Sequence, residues 1–407
     1  MLEATLLRGR ELEKVPFNPY AFKFSDDART ARLERYHQVH PVKPKKLKVV
    51  LGNACNFRCE YCRQNEHLKY QSSTNEDLLR FADRLAEQFD LSGVETVEWW
   101  GGEPLLYWNE IVRLADMLER HIGHPFLHHM TTNGSLFRRD IVDYIKGHLF
   151  TVKVSHDGPS NFLRTMDVLA NPKSLAFIQE LYEAKVETQN FFINSVLTKY
   201  CVSPQKIVDY FLDKFDRRLL ITKIEPVIPY TEWAKTFCCG LAGFQEFSRT
   251  LEHDLMQGSV SMHVVEYAAV SKFVGKALED PDWLYDATEA KCHTTQTSTI
   301  AVCLDGSIVP CQVYDGKSDA VLGHLGTAIS ERPPRTVADR WARCGNCPVI
   351  SLCRGTCPWI PDGEGSDLNC LVRFLTYKAM LKAFVFLHTG AYAARMEGEY
   401  KWKELEW

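Results

Sequence analysis

Cys55, Cys59 and Cys62 in "CNFRCEYC" are spaced C-x3-C-x2-C, directly after the apolar run "LKVVLGNA". Thiolates are soft ligands that suit zinc or iron–sulfur clusters. Three of them make an incomplete set if a metal wants four. The spacing therefore predicts either a cluster with one iron left open to an outside ligand, or a zinc site or a group of buried thiols. A second concentration lies toward the C-terminus, where Cys344, Cys347, Cys353 and Cys357 are spaced C-x2-C-x5-C-x3-C. Cys370 follows, and Cys292 and Cys311 flank Gly306 upstream. The "MLEATLLRGRELEK" terminus has early acids and no apolar core, which argues against an export signal, and no run approaches the length of a membrane span. The expectation is a cytoplasmic, reducing location, where 14 cysteines point to metal rather than disulfides.

Charge adds little. The net charge is −4, so nothing global suggests nucleic acid or a membrane as partner. Residues 1–48 are locally basic, with eleven Lys/Arg against six acids, and end in "HPVKPKKLK". The simplest reading is a solvated leader on the domain surface. The rival is a phosphate-attracting segment.

These residues need elements to hold them. From Leu47 onward, short apolar runs alternate with helical patterns: "LKVVLGNA", "VETVEWW", "FLHHMTTN", "LFTVKVS", "TQNFFINSVLT" and "LLITKIEPV" read as strands. Helices are expected between them, at "NEDLLRFADRLAEQFD" (with Leu78, Leu79, Ala82, Leu85, Ala86 and Phe89 as its apolar stripe), at 107–122 and 136–147, in "NPKSLAFIQELYEA" and at 203–216. Six strand–helix units imply an α/β fold with a parallel sheet, too few for a closed eightfold barrel. The expectation is a partial (β/α)6 TIM-like barrel at 47–235, after an N-terminal extension at 1–46. A helical bridge at 236–291, a small cysteine-rich domain at 292–375 and a C-terminal helix at 376–407 complete it.

The cysteine spacing, its place on the first strand–helix loop and the following "EWWGGEPLL" together resemble the radical S-adenosylmethionine (SAM) superfamily. In that family the open iron is chelated by SAM. The resemblance implies that Cys55, Cys59 and Cys62 carry the catalytic cluster, and that Tyr61 contacts the adenine. It gives Gly101, Gly102 and Glu103 the SAM amino group, with the two glycines allowing close backbone approach. Asn133 and Ser155 match polar positions lining the SAM site, Arg164 matches an arginine that meets the SAM carboxylate, and Asn194 is a further contact. His156 stands where the pattern has an apolar residue.

The C-terminal cysteines resemble the SPASM domain appended to many such enzymes, with two auxiliary clusters, making three [4Fe–4S] clusters in all. The family's pairing implies that Cys344, Cys347, Cys353 and Cys370 hold the outer cluster, and Cys292, Cys311 and Cys357 the inner. The inner cluster's fourth ligand is left between Cys303 and an open iron that binds substrate. Cys201, Cys238 and Cys239 are the other spare thiols. SPASM enzymes mostly modify peptides or proteins, so the resemblance implies a peptide or protein side chain as substrate, with a reductant such as flavodoxin or ferredoxin. The leader looks too short for a leader-binding module, so any leader recognition is expected to need a separate leader-binding protein or another surface. Gln312 in "VPCQVY" stands where sulfatase-maturing members carry an acid, which counts against that subgroup. A nucleoside or nucleic-acid substrate is the second reading, and a non-catalytic iron–sulfur electron carrier the third.

Overall fold

The computed structural model describes residues 2–8, 11–17, 43–62, 70–215, 221–227, 232–238, 241–257, 267, 270, 298–312, 321–329, 349–353, 364–390 and 392. Strands β1 (Leu2–Arg8) and β2 (Glu11–Phe17) pair as an antiparallel hairpin, a two-stranded sheet separate from the main one. The described part of the expected leader before residue 43 is this hairpin.

The main sheet has nine strands. β3 (Lys46–Val50), β4 (Thr96–Trp100), β5 (Leu127–Thr132), β6 (Phe150–Ser155), β7 (Phe191–Leu197) and β8 (Ile221–Pro226) run parallel in chain order. β9 (Thr299–Cys303) adds to β3, also parallel, and β10 (Ser307–Val309) and β11 (Gly323–His324) continue antiparallel. No ladder joins β11 to β8 among the described residues, so the sheet is open. The six expected strands all form. The seventh parallel strand comes from beyond residue 291, so the sheet crosses the boundary read there from composition.

The covering helices are α1 (Asn75–Gln88), α2 (Trp108–Ile122), α3 (Arg139–Gly147), α4 (Pro172–Lys185) and α5 (Pro204–Phe215). Thr74 caps α1 in a reciprocal capping box with Asp77. Its buried stripe is Leu78, Phe81, Ala82 and Leu85, whereas Leu79 is 46% exposed. Phe81 takes the place expected for Leu79, because at 100° per residue position 81 lies nearer the line through 78, 82 and 85. α3 begins at Arg139 rather than 136, since Arg138 is still extended. In the C-terminal half, α6 (Leu241–Met256) packs against α7 (Glu364–Thr389), which starts before the expected "FLTYKAM" helix.

The two sheet faces differ. Leu47, Val49, Val97, Trp99, Met130, Val152, Val154, Phe191 and Ile193 are at most 0% exposed and join helix side chains in one core. The opposite face carries Lys48, Glu98, Trp100, His129, Lys153, Ser155 and Asn194, in registered rows. An apolar face under helices and a polar face opposite is what an enzyme scaffold needs: one side holds, the other binds. Among the described residues no helix is long and apolar enough to cross a membrane.

Candidate functional site

The C-terminal ends of β3 to β7 carry the residues singled out in the first half of the sequence: the cysteine loop, Gly101–Glu103, Asn133, Ser155 and Asn194. The cysteine loop leaves β3 and is laced to the next loop by backbone bonds: Leu51 N–H to Trp100 O (2.8 Å), Gly102 N–H to Gly52 O (2.9 Å) and Glu103 N–H to Ala54 O (2.9 Å). This crossing explains the glycines. A Cβ on Gly101 would stand 2.6 Å from Gly52 O, and one on Gly102 would stand 2.4 Å from Ala54 O. The space beside the two glycines is filled by the cysteine loop itself, a different reason for glycine than the expected approach of a ligand.

Glu103 is 1% exposed. Its Oε1 accepts from Leu105 N–H (3.0 Å) and the Thr132 hydroxyl (2.5 Å), and its Oε2 from Asn133 N–H (2.7 Å). Burial pushes its pKa up, while these donors favour the charged form. The carboxylate thus ties the ends of β4 and β5 together. Asn133 donates to Asn56 Oδ1 (2.9 Å) and accepts from the Ser135 hydroxyl (2.7 Å), which fixes it against the cysteine loop. Ser155 and Asn194 pair across β6 and β7 on the polar face.

Around the last two cysteines stands a cluster organised by Asp157, a residue sequence reasoning passed over. Asp157 is fully buried. It accepts from the Tyr61 hydroxyl, Arg164 Nε (2.8 Å) and Val196 N–H (2.9 Å). Arg164 Nη1 lies 3.9 Å from Cys59 Sγ, and its guanidinium is 5.9 Å from the Tyr61 ring centroid. The Tyr61 ring packs against Leu163, Val227, Ala234 and Phe237. Trp233 Nε1 holds Glu60 O at 2.5 Å. The one signal for Asp157 was an acid at a strand end in "VSHDGPS", which is also ordinary turn chemistry.

His156 now has an account. It is fully buried, its Nδ1 accepts Gly158 N–H (3.0 Å), and its Nε2 faces Asp167 Oδ1 (2.9 Å). Burial lowers its pKa, and the two bonds select the neutral ring protonated on Nε2. It braces the turn that presents Asp157.

Burial pushes the Cys55 and Cys59 thiols up to about 11, against the Arg164 charge, which pulls both down. Among the described residues no three Cys, His, Asp or Glu side chains already stand as a metal-binding group. The donor set nevertheless fits an iron–sulfur cluster rather than a hard cation: three thiols in one loop, with protons that leave on loading. The Trp100 indole N–H, one residue before Gly101, is buried with no partner among the described residues. A bound ligand with an acceptor atom would satisfy it.

The Radical SAM superfamily model matches residues 49–199. Residues 49–199 are a radical SAM domain. They contain the cysteine loop and every proposed SAM contact. The radical SAM cyclopropyl synthase TigE of Paramaledivibacter caminithermalis is 26% identical over 194 residues, 44% of this chain and 40% of that protein. The GTP 3',8-cyclase of Staphylococcus haemolyticus is 29% identical over 178 residues, 41% of this chain and 51% of that protein. The chain thus spans about half or less of the length of these curated relatives. In fold, it is similar to native anSMEcpe with bound AdoMet at a TM-score of 0.62 and 18% identity, covering 84% of this chain and 97% of that one.

The C-terminal expectation is only partly placed. Cys292, Cys344, Cys347, Cys357 and the spare Cys239 lie outside the described residues. Cys311 and Cys353 are buried, and Cys370 is half-buried on α7. Cys303, at the end of β9, is buried with Val50, Ala301 and Val309 in a small apolar cluster, and Cys201 and Cys238 sit in the core and at its margin. Gln312 accepts from Lys48 Nζ at 3.1 Å.

Proposed function

We propose that this protein is a radical SAM enzyme with a SPASM-type C-terminal region and a partial-barrel core, acting on a peptide or protein side chain. The observation that carries this reading is the three-thiol loop locked onto Gly101–Gly102–Glu103 within the radical SAM domain. Cys55, Cys59 and Cys62 would hold a [4Fe–4S] cluster, and with SAM and one electron from a reductant such as flavodoxin or ferredoxin that group would supply radical abstraction of a substrate hydrogen. The chain's own residues orient and shield. Tyr61 and the Gly101–Glu103 turn frame the SAM site, Asn133, Ser155 and Asn194 offer polar contacts along the strand ends, and Arg164 supplies positive charge beside the loop. Packing of Tyr61 against the Leu163 cluster keeps water from that side. The seven C-terminal cysteines named above would hold two auxiliary clusters, completing three.

Two observations bear on the substrate. The fold likeness extends over most of the chain to anSMEcpe, which is also solved with a bound Cp18Cys peptide (TM-score 0.61), and this supports a peptide. Similarity to GTP 3',8-cyclases favours a nucleotide as second reading. The four lysines of the basic stretch that first supported it are already engaged by three carboxylates: Lys43 pairs with Asp90, Lys45 with Glu95, and Lys46 and Lys48 share Glu98. Gln312, bound to Lys48, brings no carboxylate to the position where sulfatase-maturing members use one. Anaerobic assay of 5′-deoxyadenosine with candidate peptides and, separately, GTP and nucleosides tests the choice. Stimulation by peptide alone is expected; stimulation by the nucleotide pool alone would reverse it.

A further inference from the structure

We propose that Asp157 and Arg164 form a fixed clamp on Cys59 that raises the reduction potential of the cluster held by this loop. Arg164 is the donor and Asp157 its positioning residue. The inference rests on the reading that Cys55, Cys59 and Cys62 ligate an iron–sulfur cluster.

The geometry is closed from every side. Asp157 Oδ2 takes Arg164 Nε at 2.8 Å and the Tyr61 hydroxyl, while Oδ1 takes Val196 N–H at 2.9 Å and Arg164 Nη2 at 3.4 Å. A carboxylate with four donors, fully buried and anchored to the β7 backbone, cannot rotate freely. It holds the guanidinium by its fork, and the remaining Nη1 faces Cys59 Sγ at 3.9 Å. The segment carrying Arg164 is itself bound along the cysteine loop. Glu60 N–H donates to Leu163 O (2.9 Å) and Arg58 N–H to Thr165 Oγ1 (2.5 Å), while Arg164 N–H closes a turn on Asn161 O (2.9 Å).

Such a clamp does more than hold a loop. Reducing the cluster adds one electron, spread over iron and sulfur. A cationic N–H donor at a ligating sulfur stabilises that added charge, and hydrogen bonds to sulfur are among the levers that set cluster potentials. The side chain is 9% exposed, so water does little to screen it. The bound arginine also has a reason to be arginine: lysine carries the charge but has no planar fork to grip Asp157 and reach Cys59 together.

The test is a dithionite redox titration followed by electron paramagnetic resonance. It compares full-length wild type, Arg164→Met, Arg164→Lys and a Cys55→Ala/Cys59→Ala/Cys62→Ala variant, all reconstituted identically. Signal present in wild type and absent from the cysteine variant belongs to this loop. Arg164→Met is expected to keep the loop's iron but lower its reduced-to-oxidised ratio about tenfold at a fixed potential, which is about 59 mV for a one-electron couple. Arg164→Lys should shift the same way by less. An Arg164→Met ratio within about twofold of wild type, with iron intact, overturns the proposal. If Arg164→Met fails to load, Arg164→Lys decides, and identity with wild type overturns it. A wild type that matches the cysteine variant would instead sink the ligation reading beneath it.

Discussion

At the scale of single residues, Glu103 shows how the site is assembled before any ligand arrives. Its carboxylate gathers two backbone N–H groups and one hydroxyl from two loops while almost wholly out of water. Removing it leaves those donors buried and unpaired. Glu103→Ala is expected to cost about 3 kcal/mol, and Glu103→Gln less, because an amide oxygen can still accept. Urea unfolding midpoints of the metal-free protein would check both; equal midpoints for wild type and Glu103→Ala would contradict the reading. Gly102 makes a complementary case, because a Cβ there meets two carbonyl oxygens, at 2.4 and 2.6 Å. Backbone cannot yield as a flexible side chain can. Gly102→Ala is therefore expected to push the cysteine loop out of place and lose iron at that loop, while the circular dichroism of the folded chain persists. Iron per chain, against the Cys55→Ala/Cys59→Ala/Cys62→Ala variant, reads the effect. Spacing made the three cysteines legible in the sequence, because their chemistry is local. Asp157 was not, since its role depends on Tyr61, Arg164 and Val196, which only the fold brings to it.

At the scale of elements, β5 carries two histidines with opposite orientations. His128 faces the core, accepts the Trp99 indole N–H at 3.0 Å and stacks on Phe150, while His129 faces the polar side. Burial holds His128 down at about 3 and His129 at about 4. Unfolded, both titrate near 6.5. The unfolded chain thus binds more protons below that pH, so the stability they confer is complete above about 6.5 and is lost progressively as pH falls toward 3 to 4. By pH 5, His128 alone accounts for a loss of about 2 kcal/mol. Urea midpoints at pH 7 and pH 5 should fall accordingly, and a flatter dependence is expected for His128→Phe. A wild-type midpoint unchanged between these pH values would contradict the burial argument. The strands were legible because alternation is a local pattern. The exchange of Phe81 for Leu79 in α1 shows the limit: both are apolar and adjacent, and only the angle to the sheet separates them.

At the scale of the whole molecule, the composition break near residue 291 does not coincide with an edge of the sheet. β9 pairs along all of β3, and Ile300 and Val302 enter the same core as Leu47 and Val49. A fragment ending at residue 290 would expose β3 as an open edge and lose α7 from α6, so it is expected to aggregate, whereas the full chain elutes as a folded species. A monodisperse, cooperatively unfolding fragment would contradict this. Nothing local announces that pairing, because the strands that meet lie some 250 positions apart; only the sheet's need for a covered edge explains it afterwards. Whether the cysteine loop is a redox centre that acts on SAM is addressed most directly by one assay. Reconstituted enzyme is incubated anaerobically with SAM and dithionite, and 5′-deoxyadenosine is quantified beside the Cys55→Ala/Cys59→Ala/Cys62→Ala variant. Deoxyadenosine is expected from the wild type and none above background from the variant; equal amounts from both would show that the loop does not act on SAM.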